Sequence, residues 1–327
     1  MSTQRPYPID DCHIHFFTKT IAETWRRRRE TDAPHLAQAA ARNHERHMKK
    51  ANNLQWEAPD DPLDAARRWL EHFDRAGVRR GCFMAPQAEN PELREFLRQS
   101  DRFLGLSWID PRHPDAAATL ERERAAGLVG VKLYPVSAGY RVNDRACYPF
   151  YEAAARTGMF VLIHFGVTIG YNADLAYANP LDLHPVARDF PDVDFVVAHF
   201  GAGFMREALM LAYQQENVHF DTSGSNNWTR TQVEKISLQH VFERFLEGAG
   251  AERILYGSDS TNFPRGYRVN VLEEQLQVLD ALDITDAQRA LIVGGNLQRL
   301  IDRNRAPGDV AFTVASGAAP ASSSITG

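Results

Sequence analysis

Residues 159–165 read Met-Phe-Val-Leu-Ile-His-Phe, an apolar run that closes with a histidine near its end. A second run, Phe-Val-Val-Ala-His, occupies residues 195–199. Nearly continuous apolar runs of this length are typical of parallel strands that are covered on both faces of a sheet. The two runs therefore predict a buried parallel sheet, and each places a titratable side chain at a strand end.

Eight such strands are predicted, with amphipathic segments between them. Leu63, Ala66 and Trp69, for example, recur at helical steps, which predicts a helix with one apolar face. Eight strands that alternate with helices predict an α/β fold of the (β/α)8 TIM-barrel type. A doubly wound open sheet fits less well, because no glycine-rich phosphate loop follows the first strand. The predicted strands are residues 9–15, 78–85, 103–109, 128–134, 159–165, 194–200, 217–221 and 253–257.

Two segments depart from this repeat. Residues 18–60 form an insertion after the first strand that is too long for an ordinary connection, so we expect a helical lid or a subunit contact. Residues 306–327 are rich in Ala, Ser, Gly and Pro and carry almost no charge, which predicts a flexible tail. The sequence therefore predicts one barrel domain over residues 1–305, followed by this tail.

The overall composition excludes several classes of protein. The 327 residues include 37 basic and 42 acidic ones, a formal net charge of −5, and 44% are hydrophobic. This balance argues against nucleic acid as a partner, and no apolar run approaches the roughly 18 residues of a membrane helix. The start lacks the pattern of a signal peptide, and the three cysteines are too scattered for a disulfide framework. We therefore expect a cytoplasmic, soluble protein with no membrane partner, and a homodimer from base rates.

The stretch Asp11-Cys12-His13-Ile14-His15 carries the sharpest chemical signal. Alternate residues of a strand face the same side, so Asp11, His13 and His15 are expected to point together into the barrel. Two imidazoles about 7 Å apart along one strand can bind one metal ion. The alternative is a pair of core histidines that bond to the backbone, but the spacing on a first strand favours the metal.

Three further strands end in titratable residues. His164 closes the fifth strand, His199 closes the sixth, and Asp259 follows the eighth. Polar residues at the carboxyl ends of apolar strands are typical of the catalytic face of a barrel. Four strand ends of this kind favour an active site over chance.

This set of residues resembles the amidohydrolase superfamily. The resemblance rests on Asp11-x-His13-x-His15, His164, His199, Gly257-Ser258-Asp259 and the closing Gly-Asn-Leu-Gln-Arg-Leu of residues 295–300, and it spans roughly residues 7 to 303. The chain is most similar to the amidohydrolase-2 group, which includes aminocarboxymuconate semialdehyde decarboxylase-like enzymes. The resemblance implies that His13, His15, His164 and Asp259 bind one divalent metal, most often Zn²⁺, with Mn²⁺ or Fe²⁺ as alternatives. It also implies that His199 is a second catalytic histidine near a metal-activated water.

The implied chemistry assigns further roles. Asp259 accepts a proton from the water, and His199 bonds the developing oxyanion or relays a proton. Asp11 orients His13 from behind the ligands, or buttresses the barrel floor. Lys132 on the fourth strand pairs with an acid or faces the substrate; a carboxylated lysine that bridges two metals is the alternative. Weaker candidates for substrate contact follow other strands: Trp108, Asp110, Tyr134, Asn226, Asn227 and Trp228.

The implied function is a metal-dependent hydrolase that acts on an amide, lactone or ester-like bond of a small substrate. Residues 18–50 carry nine basic residues against four acidic ones. A solvated helix face is the default interpretation of Arg26 to Arg29, whereas a cationic lid built from them would favour a substrate with a carboxylate. Non-oxidative decarboxylation of an aromatic or unsaturated acid is the alternative reaction. The complete histidine pair favours hydrolysis, because some decarboxylases of the family lack part of it, and a barrel that only binds ligand is disfavoured.

Overall fold

A computed structural model describes residues 7–30, 34–50, 56–168, 170, 172–224 and 228–303. It confirms the (β/α)8 barrel, since eight parallel strands pair in chain order from β1 to β8. The predicted strands match the observed ones to within three residues at every end. The strands are β1 Ile9–His15, β2 Val78–Met84, β3 Phe103–Trp108, β4 Gly130–Leu133, β5 Phe160–Ile163, β6 Phe195–Val197, β7 Val218–Asp221 and β8 Ile254–Leu255.

Backbone hydrogen bonds join β1 to the segment that leaves β8. The Cys12 N–H donates to the Tyr256 carbonyl oxygen at 3.0 Å, and the His15 N–H donates to that of Ser260 at 2.8 Å. The Asp259 N–H returns to the His13 carbonyl oxygen at 3.0 Å. These bonds bring the first and last strands side by side, so residues from both ends of the chain meet at one mouth of the barrel.

Helices cover the outside of the strands. The long helix before β2 shows why they form where they do: the Asp61 carboxylate caps its start by accepting the Asp64 N–H at 2.8 Å, and Gly77 ends it at φ +67°. The helices are α1 Lys19–Glu30, α2 Pro34–Lys50, α3 Pro62–Ala76, α4 Pro91–Leu97, α5 Ala116–Ala125, α6 Pro135–Ala138, α7 Tyr148–Thr157, α8 His184–Asp189, α9 Met205–Gln214, α10 Leu238–Ala249, α11 Val269–Ala281, α12 Asp286–Ala290 and α13 Asn296–Arg303.

Helix α13 closes the amino-terminal end of the barrel. Its Leu297, Leu300 and Ile301 belong to the same buried cluster as lumen residues of the strands, such as Leu162 and Val196. Polar contacts hold the helix there, since the Asn296 amide donates to the carbonyl oxygens of residues 251 and 254 at 2.7 Å each. At this amino-terminal end the lumen is therefore filled with apolar side chains, so an open site can form only at the carboxyl ends of the strands.

The predicted insertion is helical over most of its described residues, whereas residues 56–60 are irregular and Glu57 forms a β-bridge with Phe263. It contains α1 and α2, and residues 31–33 and 51–55 lie outside the described residues. The tail predicted over residues 306–327 lies outside them as well. Among the described residues, no helix combines the length and the apolar character that a membrane crossing needs.

We expect Leu300→Ala to lower the free energy of unfolding by about 2–5 kcal/mol, because the truncated side chain leaves a cavity against the lumen. Urea denaturation followed by circular dichroism measures this change. Leu63→Ala is the matched control, since Leu63 lies on α3 and is 55% exposed. Equal losses in the two variants would contradict the role of α13 as a buried plug.

Candidate metal centre

Strand β1 is irregular near the two histidines that it carries, His13 and His15. Its register against β2 shifts between Asp11 and Ile14. Cys12 packs among the lumen residues, whereas Ile14 belongs to the outer core. The strict alternation predicted for residues 11, 13 and 15 is therefore wrong at Asp11, because the shift in β1 turns Cys12 as well as His13 inward.

Asp11 lies behind the metal-binding candidates and contacts their backbone. Its Oδ1 accepts the His13 N–H at 2.9 Å and the Ser258 N–H at 3.2 Å. Burial raises the pKa of this carboxyl to about 7. Asp11 thus tethers β1 to the segment after β8, and the orientation of the His13 ring comes from another residue.

Three ligand atoms converge at the mouth of the barrel. Asp259 Oδ1 lies 3.2 Å from His15 Nε2 and 3.8 Å from His13 Nε2, and all three atoms lie within 4.8 Å of one another. Zn²⁺ binds imidazole nitrogen and carboxylate oxygen at about 2.0–2.2 Å, so one cation between these atoms requires only small adjustments. His13 is buried while His15 and Asp259 are partly exposed, which leaves the site open on one side.

The other nitrogen of His13 contacts a carboxylate that the sequence analysis did not single out. His13 Nδ1 lies 2.8 Å from Asp221 Oδ2, at the end of β7. Burial and the nearby Lys132 ammonium lower the pKa of His13 to about 3, so the ring is neutral with a single proton. The bond to Asp221 places that proton on Nδ1 and leaves the lone pair on Nε2, as a metal ligand requires. The sequence does contain a signal for Asp221, because this residue stands at the end of a strand, as His164 does.

His164 and His199 lie beside this centre and contact each other. His164 Nδ1 is 3.0 Å from His199 Nε2, and His199 Nδ1 is 2.7 Å from Ser223 Oγ. His164 Nε2 is buried and makes no hydrogen bond to any of the described residues. Both nitrogens of His199 therefore have protein partners, whereas His164 keeps one nitrogen available to a ligand.

Two residues of the centre adopt a backbone conformation that is rare for side-chain-bearing residues. The φ angle is +58° at His199 and +55° at Asp259. Left-handed conformations of this kind are costly and cluster at functional sites, where the surrounding structure enforces them. Glycine at 257 lets the backbone after β8 lie close to His13 and Ser223. A Cβ there would lie 3.1 Å from the His13 Cβ and 3.0 Å from that of Ser223.

Lys132 projects from β4 into the same centre. It is buried, and its Nζ lies 3.5 Å from His13 Nε2. Burial lowers the pKa of the amine to about 8, partly offset by Asp221 and Asp259. The structure thus places Lys132 against a metal-binding candidate, in reach of anything bound there.

A cavity of about 610 Å³ opens on the β3 and β4 side of the centre. Trp108, Asp110 and Tyr134 are among the residues that line it. The Tyr134 ring lies 5.4 Å from that of Trp108 and 4.5 Å from that of His164, so it joins the cavity to the centre. Trp228 is placed elsewhere, where its N–H donates to the Ser223 carbonyl oxygen at 3.1 Å. Asn226 and Asn227 lie outside the described residues.

Helix α1 lies beside this cavity, since the Trp25 ring is 6.5 Å from the ring of Trp108, which lines it. Thr24 and Trp25 line an adjoining cavity of about 180 Å³ that shares Pro86 with the larger one. Arg26 and Arg27 are exposed on α1, and the side chains of Arg28 and Arg29 lie outside the described residues. For Arg26 and Arg27, the structure favours a solvated face over a cationic lid.

Positive charge is present instead on the segment between β8 and α11. Arg268 Nη1 lies 3.5 Å from Asp259 Oδ2, so this carboxylate faces the histidines with one oxygen and Arg268 with the other. Burial acts to raise the pKa of Asp259, but His15 and Arg268 outweigh it and hold the pKa well below its ordinary value. Partial desolvation and the charge of Arg268 also lower the pKa of Arg265, an exposed residue whose guanidinium lies over the Trp56 ring, to about 10. Sequence patterns missed both arginines because they lie in a connection without periodicity.

Comparison with known proteins identifies the family of this arrangement. A family model described as Amidohydrolase (Amidohydro_2) matches residues 10–303, which confirms the resemblance stated from the sequence. A 2-keto-4-carboxy-3-hexenedioate hydratase of Sphingobium sp. is 24% identical over 240 residues, which is 62% of this chain and 67% of that protein.

Two solved structures share the fold. A 5-carboxyvanillate decarboxylase of Novosphingobium aromaticivorans, complexed with manganese, superposes with a TM-score of 0.64 at 13% identity and covers 92% of this chain and 97% of its own. A Pseudomonas putida protein assigned as a 2-pyrone-4,6-dicarboxylic acid hydrolase has a TM-score of 0.58 at 19% identity, with 91% and 99% covered.

We expect His15→Ala and Asp259→Asn each to weaken Zn²⁺ binding by more than about 100-fold, because each change removes a donor atom of the convergent set. Equilibrium dialysis with Zn²⁺ measures the affinity, and circular dichroism checks that the fold is retained. His240→Ala is the control, since His240 is exposed on α10. Wild-type affinity in both site variants would contradict a metal centre at this position.

Proposed function

Since the chain belongs to the amidohydrolase family, we propose that it is a metal-dependent hydrolase of a small substrate that carries a carboxylate. The bond that it cleaves is a lactone, amide or ester-like bond. The single observation that supports this most is the convergence of His13, His15 and Asp259 beside an aromatic-walled cavity. The cytoplasmic location, the homodimer and the domain limits proposed from the sequence remain predictions.

We propose that His13, His15, His164 and Asp259 hold one divalent cation. Two or three imidazoles and one carboxylate suit Zn²⁺, and Mn²⁺ or Fe²⁺ accept the same donors. Zn²⁺ is our first choice, although a structural relative was crystallised with manganese. Bound by these residues, a divalent cation would supply Lewis-acid chemistry: it would polarise a carbonyl and lower the pKa of water toward about 7.

The protein groups around the cation have separate tasks in this proposal. Asp259 is the carboxylate beside the open side of the site, so it accepts the proton of the attacking water. Lys132, buried and close to His13, places a cationic or hydrogen-bonding group where negative charge develops. His199, which the sequence assigned to catalysis, acts in this scheme through its contact with His164.

Arg268 and Arg265 support the substrate class. The Arg268 guanidinium lies 3.5 Å from Asp259 Oδ2 beside the open side of the site, and the charges of both Arg268 and Asp259 act on Arg265. Guanidinium groups bind carboxylates with paired hydrogen bonds. We therefore propose that the carboxylate of the substrate binds at these arginines while its apolar part faces Trp108 and Tyr134.

Non-oxidative decarboxylation of an aromatic acid is the second candidate. The observation that favours it is the aromatic wall of the cavity, where Trp108, Tyr134 and Tyr140 offer ring faces and edges to a planar substrate. It uses the same cation and arginines, so product chemistry has to separate the two reactions.

Reaction products in solvent enriched in oxygen-18 test the proposal. We expect the Zn²⁺-loaded protein to open aromatic lactones that bear one carboxylate and to place one solvent oxygen in the new carboxyl group. Release of carbon dioxide without solvent oxygen would support decarboxylation instead. Loss of vinyl proton signals with an unchanged carbonyl would indicate hydration of a double bond, and would also overturn hydrolysis.

We expect Arg268→Gln to raise KM for a carboxylate-bearing lactone by about 10- to 100-fold, because hydrogen bonds to charged groups contribute about 1.5–3 kcal/mol. The same lactone with a carboxamide in place of the carboxylate should show little change in KM. Arg206→Gln is the control, since Arg206 is 85% exposed and paired with Glu207. Equal effects on both substrates would show that Arg268 acts only on Asp259.

A further inference from the structure

Ser223 Oγ lies among three groups of the metal centre. It is 2.7 Å from His199 Nδ1 and 3.0 Å from His13 Nδ1, and it also contacts Asp221 Oδ1. Ser223 is fully buried, so water does not satisfy this hydroxyl. A hydroxyl has one proton to donate and two lone pairs with which to accept. Which neighbour receives that proton decides the protonation pattern of both imidazoles.

Asp221 is the neighbour that receives the proton. Its Oδ1 already accepts the backbone N–H groups of His199 at 3.1 Å and Ser223 at 2.8 Å, and its Oδ2 faces the His13 ring. With two backbone donors on one oxygen and an imidazole nitrogen at the other, Asp221 has the surroundings of an ionised carboxylate. An ionised carboxylate can only accept, so the Ser223 hydroxyl donates to it.

The tautomer of His199 follows from this. Because the Ser223 proton is used, the oxygen can only accept from His199 Nδ1, which therefore carries the ring proton. A neutral imidazole carries one proton, so with that proton on Nδ1 the Nε2 of His199 is an acceptor. His164 Nδ1, 3.0 Å away, must then be the donor of that contact.

The tautomer of His199 in turn fixes that of His164. A neutral His164 ring likewise carries one proton, and the contact with the acceptor His199 Nε2 places that proton on Nδ1. His164 Nε2 then carries a lone pair, and it makes no hydrogen bond within the described part of the chain. A buried N–H at this atom would be an unsatisfied donor at a cost of about 1–3 kcal/mol, whereas a lone pair suits a cation.

We propose that Ser223 is a positioning residue that, through His199, fixes the tautomer of His164 and presents the Nε2 lone pair of His164 to a divalent cation. This inference rests on the proposed metal centre and goes beyond the ligands themselves. It gives one carboxylate, Asp221, control over His13 directly and over His164 through two intermediate residues. No step of the hydrolytic reaction is needed for it to hold.

Histidine tautomers are read directly from two-bond proton–nitrogen correlation spectra of the full-length, ¹⁵N-histidine-labelled protein, freed of metal by a chelator. Substitution of single histidines assigns the signals. Ser223→Ala removes the hydroxyl, and Ser223→Cys keeps the volume but provides a weak acceptor. Ser107→Ala is the matched control, because Ser107 is also a buried serine bonded to a carboxylate, Glu123, at 2.8 Å.

In the wild type and in Ser107→Ala, we expect the proton of His164 on Nδ1. In Ser223→Ala and Ser223→Cys, we expect the Nε2-protonated form to appear and Zn²⁺ affinity, measured by chelator competition, to fall by about tenfold or more. Unchanged tautomers in both Ser223 variants would overturn the proposal, even if activity falls. A wild-type result for Ser223→Cys alone would assign the effect to packing and would also overturn it. An inactive wild type with the expected spectra would refute the proposed reaction and leave this inference standing.

Discussion

The contact between the Asp221 carboxylate and His13 Nδ1, at 2.8 Å, is the interaction on which the rest of the site depends. A neutral imidazole has one lone pair, and the partner of its N–H decides which nitrogen keeps it. Asp221 keeps the lone pair of His13 on Nε2, the nitrogen that converges with His15 and Asp259. Without that carboxylate, the same side chains at the same positions would bind a cation less well, because the His13 ring could carry its proton on Nε2.

The barrel supplies this contact by joining residues that are far apart in the chain. Strands β1, β7 and β8 end at the same mouth, so His13, Asp221 and Asp259 meet although more than two hundred residues separate the first from the other two. The close approach has a structural cost, seen in the left-handed backbone of His199 and Asp259 and in the need for glycine at 257. Apolar packing around α13 and the outer helices holds the strained segments in place.

The sequence predicted the barrel and most of the centre because both depend on local patterns. Apolar runs and helical steps identify strands and helices, and His164, His199 and Asp259 end such runs. Sequence patterns did not predict features whose geometry depends on residues far away in the chain. The shift in β1 that separates Asp11 from the lumen face arises from pairing with β2, and the contact of Arg268 with Asp259 depends on the path of an irregular loop. The arginine run of α1 is conspicuous in the sequence, yet Trp25 rather than Arg26 or Arg27 lines the smaller adjoining cavity.

A second buried pair shows why an aspartate–histidine contact alone does not make a metal centre. Asp194 and His219 lie 3.0 Å apart near the closed end of the barrel, where Arg303 of α13 also binds the same carboxylate. The remaining nitrogen of His219 is buried, but among the described residues it belongs to no cluster of ligand atoms. His13 differs because its Nε2 converges with ligand atoms of His15 and Asp259 on the open side. The chemistry therefore follows from the position of the pair along the strands, since only the carboxyl ends combine converging ligands with space for a substrate.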